Sequence, residues 1–84
     1  MNEKTLRALV EAGAVKRIRI VADGSLIHVE ADTANGSIVA STVKGAVKTW
    51  GSLDVAAKWV RSLGMGTMQL DLAKWQSDQR PLRL

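Results

Sequence analysis

Two turn dipeptides, Asp23-Gly24 and Asn35-Gly36, interrupt the stretch "VKRIRIVADGSLIHVEADTANGSIVAST". Each is flanked by residues that alternate apolar and polar, so together they predict three consecutive antiparallel strands. Closing a two-residue turn on Asp23-Gly24 sets Ile20 opposite Ile27 and Ile18 opposite Val29 on one face. It sets Arg17 opposite Glu30 and Arg19 opposite His28 on the other. Closing Asn35-Gly36 sets Ala31 opposite Ala40, again on the apolar side. Both turns therefore select the same face for burial. That agreement is demanding, because a slip of one residue would reverse every side chain.

Helical patterns flank this meander. "NEKTLRALVEAGA" places Leu6, Leu9 and Val10 on one apolar face, with Asn2 as N-cap, Glu3 in the first turn and Gly13 as the stop. A second helix is expected between Ser52, a good N-cap, and Gly64. Leu53, Ala56, Ala57, Val60 and Leu63 form its apolar stripe, with Trp59 along one side and Lys58 and Arg61 pointing away. "KGAVKTW" is expected to continue the meander into a fourth strand containing Val47, with a connection across the sheet edge as the alternative. "TMQLDLAKW" alternates Met68, Leu70 and Leu72 with Gln69 and Asp71, the pattern of a half-buried strand.

The expected fold is α+β: a two-layer antiparallel β-meander with two helices packed on one face, in the order α-β-β-β-(β)-α-β. Residues 1–76 form one domain and 77–84 a loose C-terminal tail. At 84 residues without a cysteine, the chain must be held by packing alone, or by packing and self-association. No apolar run is long enough to span a bilayer and no signal peptide opens the chain, so the expected setting is a bacterial-type cytoplasm, with no membrane partner.

The residues give little support to catalysis. His28 is the single histidine, and it shares a strand face with Glu30, but no nucleophile or substrate pocket is evident beside it. One histidine and scattered carboxylates make no metal-ligand set, and the glycines occupy turns and caps rather than a phosphate loop. No catalytic residue, metal or cofactor is expected.

Binding is the better prospect. Twelve Lys and Arg against eight Asp and Glu leave a net charge of +4, which suits DNA or an acidic protein. Arg17, Arg19, Lys44, Lys48, Lys58 and Arg61 are the candidate contacts. Arg17 and Arg19 project from the outer sheet face, and Lys48 and Trp50 join them there if the last hairpin forms as a strand. Against this, Glu30 faces Arg17 directly, so the pair can neutralise itself, and a helix-turn-helix is not apparent. The outer face also carries apolar residues. Val21, Leu26, Val39 and Trp50 are the candidate interface for a protein partner or a homodimer.

The stretches "TLRALVEAGAVKRIRIVADG", "HVEADTANG" and "KGAVKTWGSLDVAAKWVRSLGMG" resemble the ParC-type partition-associated proteins. These are small accessory proteins encoded on plasmids and integrative elements, distinct from the topoisomerase subunit of the same name. The likeness runs from Asn2 to about Trp75. It implies a non-enzymatic role in partition or maintenance of a mobile element, exerted on DNA or on other maintenance proteins. It carries no catalytic residue and no mechanism onto this chain.

Overall fold

The computed structural model describes residues 1–75; the expected tail at 77–84 lies outside them. The chain runs α1 (Glu3–Glu11), β1 (Val15–Gly24), β2 (Leu26–Thr33), β3 (Gly36–Val39), α2 (Leu53–Ser62) and β4 (Gln69–Trp75). This is the α+β class expected, with both helices on one face of a four-stranded sheet of order β3-β2-β1-β4. The sheet is mixed: β1–β2 and β2–β3 are antiparallel, whereas β4 lies parallel to β1. A parallel neighbour needs a crossover, and α2 supplies it.

Helix ends follow the local chemistry. Asn2 Oδ1 accepts from Thr5 N at 3.0 Å, satisfying one free donor at the start of α1. At its end Gly13 takes φ +73°, Gly13 N donates to Val10 O and Ala14 N to Leu9 O. Those paired bonds form a Schellman closure, which requires a left-handed residue at this point. Ser52 occupies the N-cap position of α2, but its side chain makes no capping bond.

The hairpin registers differ from the expected ones by two residues. Ile20 pairs with Val29, Ile18 with Ala31 and Ala22 with Ile27, so the turn falls on Gly24-Ser25 instead of Asp23-Gly24. Gly24 has φ +66°, the conformation required at the first central position of a type II′ turn, and Asp23 remains in the strand. The second hairpin also shifts by two, in the opposite sense, so that its turn falls on Ala34-Asn35: Ala31 pairs with Ile38 and Thr33 with Gly36. Thr33 Oγ1 accepts from Asn35 N and donates to Gly36 O, bracing that turn. A shift of two keeps every side chain on its face, so the buried set is as expected. The shift also sets Arg19 opposite Glu30 in place of His28.

The core lies between this face and the helices. Leu6 of α1, Ile18, Ile20 and Ala22 of β1, Ile27, Val29 and Ala31 of β2, and Ala56 and Val60 of α2 are all buried, with Leu63 at the helix end. The helices are tied to each other at their surface. Trp59 Nε1 donates to Glu3 Oε1 at 2.8 Å, and the Arg7 guanidinium donates to Ser62 O.

Two expectations about strands are corrected. Residues 46–50 form no strand; the segment touches the sheet through an isolated bridge of Trp50 with Ile27, and a second bridge joins Val47 to Ser41, past the end of β3. The edge of β2 is already occupied by β3, which leaves room for pairing only at Ile27, beyond the end of β3. The "QLDLAKW" strand forms, but it is exposed throughout rather than half-buried. Leu70 sits beside Ile20 on the core side, yet it is 55% exposed because α2 packs over β1 and β2 and not over β4.

Candidate interaction surface

The outer face of the sheet carries no helix among the described residues. Alternation along β1 and β2 directs Arg17, Arg19, Val21 and Asp23 to it, with Leu26, His28, Glu30 and Asp32 from the neighbouring strand. Arg19 stands at its centre. Its Nη2 lies 2.9 Å from Glu30 Oε1, 2.9 Å from Asp32 Oδ1 and 3.1 Å from Ser37 Oγ. Ser37 Oγ donates to Asp32 Oδ1 at 2.7 Å, and His28 Nε2 lies 2.7 Å from Glu30 Oε2. The result is a connected network across β1, β2 and β3.

Its electrostatics follow from those contacts. The Ser37 hydroxyl, and then the Arg19 guanidinium, hold the Asp32 carboxyl below its ordinary value. The hydrogen bond from Arg19 to Asp32 raises the guanidinium's own pKa further. The charge on Arg19 is therefore spent within the protein. Across the whole face three basic residues (Arg17, Arg19, Lys74) stand with four acidic ones (Asp23, Glu30, Asp32, Asp71). This face is balanced in charge, not cationic.

The structure divides the six basic candidates. Arg17 and Arg19 lie on the outer sheet face, Lys58 and Arg61 on the exposed side of α2, and Lys44 in the exposed turn after Thr42. Lys58 pairs with Asp54 at 3.1 Å, one turn away on the same helix. Lys48, expected beside the arginines, is on the helix side: its Nζ lies 5.5 Å from the Trp50 ring centroid and 5.8 Å from that of Trp59. The two indole rings are 4.9 Å apart and tilted by 50°.

Of the apolar candidates, Val21, Leu26 and Val39 stay on the outer face, with Leu26 the most exposed. Trp50 does not join them; it packs against Trp59 at the edge of the core. The partners of Arg19 were partly missed by sequence reasoning. Asp32 carried a readable signal, since "HVEAD" puts His28, Glu30 and Asp32 on one face of one strand. Ser37 carried none, because its place depends on the hairpin register.

Among the described residues no group of His, Asp or Glu is arranged to hold a metal ion, and no helix is long and apolar enough to cross a membrane. Compared with known proteins, the chain matches no family model, no curated protein and no solved structure.

Proposed function

We propose that this protein is a non-enzymatic interaction module, serving partition or maintenance of a mobile element by docking on a protein partner through the open face of its sheet. The partner class follows the resemblance to ParC-type proteins. One observation carries the docking mode: the uncovered face sets Val21, Leu26 and Val39 around a network in which Arg19 Nη2 is paired with both Glu30 and Asp32. Apolar area beside neutralised charges suits burial against protein, where an unbalanced cationic face would be penalised on desolvation. Phosphate recognition needs the opposite, cations available to displace counterions.

DNA binding is the second reading, and the exposed positions of Lys44 and Arg61 favour it. Two measurements separate the readings. The first is fluorescence anisotropy of labelled duplex DNA at low and moderate salt. The second is capture of co-expressed partition proteins by the wild type and by Leu26→Asp/Val39→Asp. Docking through the sheet predicts capture that the double substitution abolishes, and no DNA binding at moderate salt. Steeply salt-dependent DNA binding, lost in Lys44→Ala/Arg61→Ala and retained in Leu26→Asp/Val39→Asp, would establish the DNA reading instead.

A further inference from the structure

We infer that the protein pairs with a second copy of itself along the free edge of β4, antiparallel, so that Leu70 meets Trp75 of the partner subunit and Asp71 meets the partner's Lys74. This stands independently of the docking face above, because it uses the edge of the sheet and not its outer surface.

The two edges of the sheet differ. At β3 the edge is short and occupied: the amino group of Met1 donates to Val39 O at 3.0 Å, and Ser41 N donates to Met1 O at 2.7 Å. At β4 a seven-residue strand is exposed along its length, has no proline and pairs only with β1 among the described residues. Edge strands present unpaired backbone N–H and C=O groups, which a further strand can satisfy. Leu70, Leu72 and Trp75 on this strand are 55%, 39% and 43% exposed, an apolar load that invites cover.

The occupant is identified by the strand's own pattern. Val21 pairs with Asp71 and Asp23 with Lys74, so β4 carries one extra residue at Leu72–Ala73. The bulge resets the alternation. Leu70 and Trp75, beside Ile20 and Gly24, both belong to the helix side, and Asp71 and Lys74, beside Val21 and Asp23, both belong to the outer side. Read in either direction, the faces run helix side, outer side, bulge, outer side, helix side. A two-fold axis normal to the sheet through the bulge therefore brings like faces together. Each axis-related pair is also complementary in chemistry. Leu70 lies against an indole ring twice, and Asp71 lies against an ammonium twice. Asp71 already accepts from Ala73 N at 3.1 Å through Oδ1, which leaves its second oxygen for the partner's Lys74. The product is a continuous eight-stranded sheet with all helices on one side. Such an edge contact is small, so the dimer is expected to dissociate on dilution.

Sedimentation velocity of the full chain across a concentration series tests this. The wild type is expected to pass from monomer to dimer as concentration rises. Asp71→Lys alone and Lys74→Asp alone place like charges opposite each other and are expected to shift the series toward monomer. The double exchange Asp71→Lys/Lys74→Asp restores opposite charges and is expected to restore the dimer, with circular dichroism confirming that each variant is folded. Because the chain has no cysteine, an equimolar mixture of Asp71→Cys and Lys74→Cys chains is also expected to cross-link on oxidation more readily than either alone. A monomer at every concentration overturns the inference. So does a dimer that both single reversals leave intact and that the mixed cysteine chains fail to cross-link.

Discussion

Arg19 Nη2 and Asp32 Oδ1, diagonal neighbours on adjacent strands two residues off the directly opposed Arg19–Glu30 pair, are held 2.9 Å apart, with Ser37 Oγ 2.7 Å from the same carboxylate oxygen. Asp32 is thereby the acceptor of two hydrogen bonds, and its folded-state pKa lies below the ordinary 3.8. A carboxyl depressed on folding adds stability above its unfolded pKa, and that contribution is lost as pH falls through the folded value. Stability is therefore expected to decline in acid, from about pH 4 downward. In Asp32→Asn the decline should be shallower. Urea midpoints measured from neutral to acid pH check this, and parallel curves for the two proteins would contradict it.

Removing Arg19 tests the same network from the other side. Arg19→Ala leaves Glu30 and Asp32 as neighbouring carboxylates without their shared cation. It is expected to lower stability by about 1 kcal/mol, the scale of a partly exposed charged hydrogen-bond network. It should leave any DNA affinity unchanged, because Nη2 of the guanidinium is already held by Glu30 and Asp32. Loss of DNA binding in this variant would show that the network opens to accept phosphate.

Lys48 lies over both Trp50 and Trp59. Lys48→Met keeps most of the apolar stem but removes the cation, and should cost about 0.5–1 kcal/mol. Tryptophan fluorescence is expected to shift as well, since the charge sits above a coupled indole pair. An unchanged spectrum and midpoint would make Lys48 a solvated side chain.

Glu3 links the two helices at their surface by accepting from the Trp59 indole and pairing with Arg7 at 3.1 Å. The Trp59 hydrogen bond first, and Arg7 second, hold its pKa below the ordinary 4.5. Its contribution therefore has the same sign as that of Asp32, present at neutral pH and lost in acid. Glu3→Ala is expected to lower the neutral-pH midpoint slightly and to leave stability at strongly acid pH unchanged. A loss that persists in acid would assign the effect to packing, not charge.

Gly13 takes a left-handed conformation with open space around it, so a side chain there meets backbone strain and no clash. Gly13→Ala is expected to cost about 1–2 kcal/mol, and Gly13→Asn distinctly less. Equal losses for the two would point to a packing role instead.

How far the sequence reaches can be traced through particular residues. Asn2, Gly13 and the apolar spacing of α2 act within a turn or two of chain, and the helices they specify form where expected. The buried face of the meander was legible for a similar reason, since period-two alternation assigns Ile18, Ile20, Ile27 and Val29 to one side whatever the even register. That same insensitivity hid the register itself: a shift of two leaves every face unchanged, and only cross-strand contacts such as Arg19 with Glu30 distinguish the alternatives. Position within the sheet was beyond local pattern altogether. "QLDLAKW" reads as a strand from its own alternation, but its exposure depends on where α2 lands and on the parallel pairing of Ile20 with Leu70. Trp50 lies on the helix side against Trp59 of α2, a contact between elements that strand alternation does not reveal. The sequence alone thus determined the elements and the side of the sheet that is buried, because both are set by short-range geometry. Tertiary packing decided strand order, register and the pairing of charges, because those depend on which distant residues meet.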